Sequence, residues 1–344
     1  MGVFDSFSMD IGIDLGTCNT LIYVRNKGIV INQPSVLAVQ RGNGQIVAVG
    51  EEAKDMLGKT PQNIEASCPL KDGVISDIDA TEKMMKYFIS KILKHPWLLK
   101  PRMRIGIPSC ITEVERRAVE EAAMRAGARS VDIITESLAA AIGANIPINE
   151  PIGHMVCDIG GGTTEVSVIS MGDMVVTHAI RIGGNEFDEA IVKYINVTHN
   201  LNIGTQTAEA IKIGIGNAMP EKSLGMMEVK GIGTRDGLPH KIEIDSVEVC
   251  EALKDPVNRI IEVIKQTLSD TPYELAADIT ECGIVMTGGG SLLKGLDQLV
   301  RQETGVPAIL AENPLDCVAI GAGKSFEVFK NRDVGRKIYD SLNS

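Results

Sequence analysis

Ile11-Gly-Ile-Asp-Leu-Gly-Thr-Cys-Asn-Thr20 decides the fold, because a near copy returns as Met155-Val-Cys-Asp-Ile-Gly-Gly-Gly-Thr-Thr-Glu-Val166. Each stretch runs from apolar residues through an aspartate into a glycine turn and out through threonines. Ile11–Ile13 and Leu21–Val24 are predicted strands around the first turn, Met155–Cys157 and Val166–Ser170 around the second. Two related hairpins of this kind predict two related domains. Strand-like runs alternate with helical ones elsewhere, which makes the chain α/β.

The flanking segments follow the same alternation. Thr112 and Glu115 form a capping-box pattern that opens a helix to about Arg125, where Gly127 suits its stop. Val114, Ala118 and Ala122 lie on the apolar side of that helix. Val131–Thr135 is a predicted strand, followed by a short Ala-rich helix from Ser137. Asn185 is placed as the cap of a helix whose Phe187, Ile191, Tyr194 and Ile195 share one face. Near the end, Ile284–Met286 runs into Gly288-Gly289-Gly290, and an amphipathic helix follows to about Glu303.

The chemistry implied by the turns is phosphate binding. Glycine lets backbone approach an anion closely, and successive N–H groups in a turn form a nest for it. Thr17, Thr20, Thr163 and Thr164 add hydroxyls. An aspartate at the head of each turn would repel phosphate unless a cation lies between them, so Asp14 and Asp158 imply magnesium, held through water. The Gly288–Gly290 cluster can present backbone to a nucleotide. No G-x-x-x-x-G-K-[ST] run occurs, which excludes a P-loop protein.

Composition sets the outer limits. The 344 residues suffice for two domains, and 44% hydrophobic with 23% charged residues is a globular profile. A formal net charge of −11 argues against nucleic acid as a partner. The seven cysteines show no CxxC pair, which fits thiols in a reducing compartment. No Lys or Arg precedes Arg25 and no apolar run is long enough to span a bilayer, so a cytoplasmic location is expected.

The first turn resembles the first phosphate motif of the superfamily of actins, heat-shock chaperone ATPases and sugar kinases. The second resembles its second phosphate motif, and Ile284-Val-Met-Thr-Gly-Gly-Gly-Ser-Leu-Leu293 resembles its adenosine motif. Within that superfamily the chain is similar to the MreB family of bacterial actins from about residue 10 to 330. Val114-Glu-Arg-Arg117, Ile182-Gly-Gly-Asn-Glu-Phe-Asp-Glu-Ala-Ile191 and Glu303-Thr-Gly-Val-Pro307 extend the likeness beyond the turns.

That resemblance implies an actin-like fold of two related domains (four subdomains) around a nucleotide cleft. Domain I would comprise residues 1–148 and 316–344, with subdomain IB at about 33–70. Domain II would comprise 149–315, with subdomain IIB at about 183–249. It implies ATP and Mg²⁺ as cofactors, with hydrolysis coupled to filament assembly. By position, Asp14 and Asp158 surround the magnesium, while Gly16, Thr17, Cys18, Asn19, Gly160, Gly161 and Gly162 hold phosphates. Glu136 positions the attacking water with Thr163 and Asp158 beside it; a carboxylate at a helix start is also what the helix dipole alone would favour. Glu209 and Lys212 contact the nucleoside, although a solvated pair on a helix face has the same spacing. Gly288, Gly289, Gly290 and Leu292 complete the cofactor set. The chain departs from relatives that carry Glu-Glu-Pro-Met where it has Thr135-Glu-Ser-Leu138.

The segment Lys94-His-Pro-Trp-Leu-Leu-Lys-Pro-Arg102 holds the single tryptophan beside two leucines and basic residues. Trp97, Leu98 and Leu99 suit a membrane interface, as in the family; Trp97 folded inward over the core is the alternative. The resemblance further implies self-assembly into antiparallel double filaments, with the Glu113–Arg125 helix at the contact; an amphipathic helix packed on its own sheet has the same pattern. It implies attachment to the inner face of the cytoplasmic membrane, RodZ, MreC and MreD as partners, and a role in rod shape through lateral cell-wall synthesis. Two other members of the superfamily compete. A chaperone ATPase needs a substrate-binding region beyond the last matched segment near Phe329, and a small-molecule kinase commonly stacks its sugar on aromatics, which are only 3% here.

Overall fold

The computed structural model describes residues 9–93, 100–219 and 225–342. The chain divides into two compact units, Met1–Ile148 with Leu315–Ser344, and Asn149–Pro314.

In the first unit the opening hairpin is β1 (Asp10–Leu15) and β2 (Asn19–Val24), continued by β3 (Gly28–Pro34). Then come β4 (Leu37–Gln40), β5 (Ile46–Val49), α1 (Glu51–Met56) and β6 (Ile64–Ser67), followed by the small hairpin β7 (Leu70–Lys71) and β8 (Val74–Ile75). The unit continues with α2 (Ile78–Ile92), β9 (Arg102–Ile107), α3 (Glu113–Arg125), β10 (Ser130–Thr135) and α4 (Glu136–Gly143). Its main sheet has the order β10-β9-β1-β2-β3, with β9 and β10 parallel to β1 and β2 antiparallel to it. Ile11, Ile13, Met103 and Ile105 on its central strands are fully buried, with Met84, Met85 and Phe88 of α2 in the same core. The charge at the head of β1 is not left alone. Buried Asp10 receives two hydrogen bonds from Arg102 on β9, at 2.7 and 2.8 Å, as a buried carboxylate requires.

The second unit repeats this plan. It contains β11 (His154–Ile159), β12 (Thr164–Ser170), β13 (Asp173–Ile180), α5 (Gly184–His199), β14 (Leu201–Asn202), α6 (Thr205–Ile215), β15 (Met226–Gly233) and β16 (Pro239–Asp245). After these come α7 (Ser246–Asp270), α8 (Tyr273–Cys282), β17 (Ile284–Thr287), a single 3₁₀ turn at Gly289–Leu292, α9 (Leu296–Thr304) and β18 (Ala308–Leu310). Its sheet, β13-β12-β11-β17-β18, again joins an antiparallel meander to two strands parallel to the first. Met155, Val166, Val168 and Ile169 are fully buried beneath α5 and α7, whose Phe187, Ile191 and Ile260 complete the core. The last helix, α10 (Cys317–Leu342), returns to the first unit and packs on α4 and β1.

Most predicted elements are present, with three local differences. The capping box is real: Thr112 caps α3, and the Glu115 carboxylate accepts its N–H at 2.7 Å. The buried face of α3, however, is Val119, Ala122 and Ala123, while Val114 is 78% exposed. Helix α5 begins one residue before Asn185. Gly183 is its cap, and its N–H goes to the Glu186 carboxylate at 2.6 Å, which holds the extended backbone at the helix start. After Gly288 the chain makes the 3₁₀ turn first, and α9 starts only after the left-handed Gly295. Trp97, Leu98 and Leu99 lie outside the described residues.

Candidate functional site

Each unit carries one candidate phosphate turn. In the first, parallel pairing aligns Asp14 with Gly106 and Gly106 with Ile134, so the ends of β1, β9 and β10 finish at one edge of the sheet. Two strand spacings of about 4.8 Å therefore separate Asp14 from the strand that leads into α4. Glu136 opens α4 just beyond Ile134 and is only 8% exposed. The turn Gly16–Cys18 that follows Asp14 is gripped from two sides. The Ser35 hydroxyl donates to the Gly16 carbonyl at 2.6 Å and the Ser35 N–H to the Cys18 carbonyl at 2.9 Å. The Thr17 hydroxyl oxygen accepts the Gly73 N–H at 2.9 Å, from the β7–β8 turn, where Asp72 and Gly73 are both left-handed. That leaves the Thr17 hydroxyl proton for an acceptor such as phosphate. Asn19 begins β2.

The second unit grips its turn differently. The N–H groups of Gly184 and Asn185, at the start of α5, donate to the carbonyls of Gly160 and Gly161 at 3.0 and 2.8 Å. The approach is so close that a Cβ on Gly183 would stand 2.5 Å from the Gly160 oxygen. Gly160 N–H closes the turn onto Thr163 O at 2.8 Å, and the Thr164 hydroxyl fixes the exit by donating to Ile182 O at 2.7 Å. The start of α5 is itself anchored by α6. The Lys212 ammonium donates to Gly184 O at 2.8 Å and pairs with Asp188, also at 2.8 Å. Glu209 lies one helical turn earlier on α6 and is half-buried. The third glycine cluster packs on the end of β11: Gly288 is left-handed, and a Cβ there would meet Ile159 O at 2.3 Å. Gly289 and Gly290 open the 3₁₀ turn, and Leu292 at its end is 47% exposed.

Asp158 is the electrostatic centre of this unit. It is 5% exposed, and Thr287, its direct neighbour on β17, donates a hydroxyl hydrogen bond to its Oδ1 at 2.6 Å. Burial pushes the Asp158 carboxyl up to about 6; the Thr287 bond opposes this, and Glu165, opposite on β12, adds to it. Burial and the adjacent Asp158 push the Cys157 thiol far above its usual value, so it is inert as a nucleophile.

These features fit a nucleotide and a hydrated magnesium ion. Turns whose carbonyls are engaged from outside, and glycines with no space for a Cβ, form cradles for an anion. A buried aspartate with its pKa raised is a group that a nearby cation would keep ionised. Among the described residues no group of three or more His, Cys, Asp or Glu could hold a metal by itself.

The motifs read from the sequence lie at these turns, but the supports of the turns come from outside them. Ser35, Gly73, Gly184, Asp188 and Thr287 do the gripping. Thr287 and Gly184 stood inside quoted motifs and could have been flagged; Ser35 carried no local signal beyond following Pro34.

A family model described as MreB/Mbl protein matches residues 8–334. The cell shape-determining protein Mbl of Bacillus subtilis is 50% identical over 317 residues, which covers 92% of this chain and 95% of that protein. The cell shape-determining protein MreB of Escherichia coli K12 is 48% identical over 327 residues, 94% of each chain. Among solved structures, MreB5 of Spiroplasma citri bound to ADP superposes with a TM-score of 0.87 at 36% identity. That match covers 96% of this chain and 98% of the other, and the same protein is also known bound to AMPPNP.

Proposed function

Because the chain belongs to the MreB/Mbl family and has its actin-like fold, we propose that it is an ATP-dependent cytoskeletal protein that assembles with itself and helps set cell shape. One observation carries the reading: each unit presents an aspartate-led glycine turn whose carbonyls are hydrogen-bonded from outside, leaving backbone donors for phosphate. The nucleotides in the two MreB5 structures are those such turns are built to take.

In this reading Gly16–Asn19 of the first unit and Gly160–Gly162 of the second hold phosphate oxygens. Glu209, Lys212, Gly288–Gly290 and Leu292 serve the nucleoside end. Asp14 and Asp158 are the residues that would hold magnesium, which would neutralise phosphate charge. Glu136 orients the attacking water, and Thr163 adds a hydroxyl at the same step. The buried start of α4 suits this work, since a fixed carboxylate loses little freedom in aligning water. The finer biology belongs to the same proposal: antiparallel double filaments at the inner face of the cytoplasmic membrane, contact through Trp97, Leu98 and Leu99, and organisation of wall synthesis with RodZ, MreC and MreD.

Equilibrium titration of the purified chain with ATP, with and without magnesium, tests the core of the reading. Micromolar or tighter binding that weakens when magnesium is withdrawn is expected. A chain that is folded yet binds no nucleotide refutes it.

A further inference from the structure

Ser35 sits at the corner between β3 and β4, has no exposed surface, and holds the first phosphate turn with both its hydroxyl and its N–H. Its hydroxyl donates to Gly16 O (2.6 Å) and its N–H to Cys18 O (2.9 Å). The hydroxyl proton being spent on Gly16, the Thr20 hydroxyl must be the donor in the 2.9 Å contact between Thr20 Oγ1 and Ser35 Oγ. Thr20 is itself 1% exposed, so the corner is closed to water.

A trans peptide is planar, with its C=O and N–H pointing in opposite directions. Tying the Gly16 carbonyl to Ser35 therefore turns the Thr17 N–H away from it. Tying the Cys18 carbonyl does the same to the Asn19 N–H. The second unit reaches the equivalent result by another route: Gly184 and Asn185 hold the carbonyls of Gly160 and Gly161, which turns the N–H groups of Gly161 and Gly162 outward. In the first unit a single side chain and its own backbone hold the two carbonyls.

We infer that Ser35 is a positioning residue for phosphate: it touches no ligand but fixes the direction of the backbone donors at Thr17 and Asn19. The inference rests on the nucleotide reading above. Its signature is selectivity for the distal phosphates. Removing the hydroxyl loosens the turn without touching the nucleoside end, which lies in the other unit.

The test is the binding of Mg-ATP and of AMP to the full chain in wild-type, Ser35→Ala and Ser35→Thr forms. Ser35→Ala should weaken Mg-ATP roughly fivefold to tenfold, the loss of about one hydrogen bond, and AMP less than twofold. Ser35→Thr keeps the hydroxyl and should restore the wild-type ratio of the two affinities. If the alanine chain does not fold, Ser35→Cys, close in size but a weak donor, should show the same split. Equal losses for ATP and AMP, or no loss for either, would overturn the assignment. A wild-type chain that binds neither ligand would overturn the nucleotide reading itself.

Discussion

Thr287 and Asp158 stand side by side on neighbouring parallel strands, joined by a hydrogen bond of 2.6 Å that is closed to solvent. The bond links the strand of the third glycine cluster to the aspartate that heads the second phosphate turn. Replacing Thr287 with Val removes the donor at nearly constant volume and leaves a buried carboxylate short of a partner. A loss of about 1–3 kcal/mol is expected in denaturant unfolding, while Thr287→Ser should lose less. Equal stability of the valine and wild-type chains would show that the bond carries no weight.

The same carboxylate gives the protein a pH dependence when magnesium and nucleotide are withheld. The Asp158 pKa lies at about 6 when folded, against an ordinary value of 3.8. Between those values the unfolded chain has released its proton and the folded chain keeps it, so stability falls as pH rises. Below the window both states are neutral; above it both are ionised and the loss is complete, on the order of 3 kcal/mol. Asp158→Asn should therefore gain on wild type between about pH 4 and pH 6. Parallel stability curves for the two chains across that range would contradict the raised pKa.

Gly183 has no space for a side chain, because the Gly160 carbonyl lies 2.5 Å from where its Cβ would be. Gly183→Ala must push α5 off the second turn or twist the turn, an overpacking worth about 1–3 kcal/mol. Nucleotide affinity should drop roughly tenfold or more, read by titration with ATP. Undiminished affinity would mean that the contact does not shape the turn.

These contacts mark the limit of what the sequence disclosed. The turns themselves were legible because glycine, aspartate and flanking apolar runs are local signals, and the capping box of α3 was legible for the same reason. The supports were not, since Ser35 to Gly16, Gly184 to Gly160 and Thr287 to Asp158 are contacts between separate elements that leave no period in the chain. Lys212 shows the point well. The resemblance assigns it with Glu209 to the nucleoside; the structure adds that its ammonium holds Gly184 O and Asp188 at the start of α5. Val114 shares the apolar side of α3 with Ala118 and Ala122, yet it is 78% exposed while Ala122 is buried, a split along one side that the pattern alone does not show.

Glu136 offers a separation of binding from turnover. Glu136→Gln keeps the shape of the α4 start but loses the charge proposed to orient water. ATP affinity should stay within about twofold, and hydrolysis should fall by roughly 10²-fold or more, measured as phosphate release. Full turnover in the variant would move the catalytic role elsewhere.

Nucleotide-dependent self-assembly at a membrane would be visible in negative-stain electron microscopy of the full chain with Mg-ATP and anionic liposomes. Wild-type protein should form paired filaments on the lipid, and the Trp97→Ser, Leu98→Ser double variant should form filaments that no longer lie on it. Dispersed protein with and without lipid, at concentrations where ATP binding is saturated, would rule out such assembly.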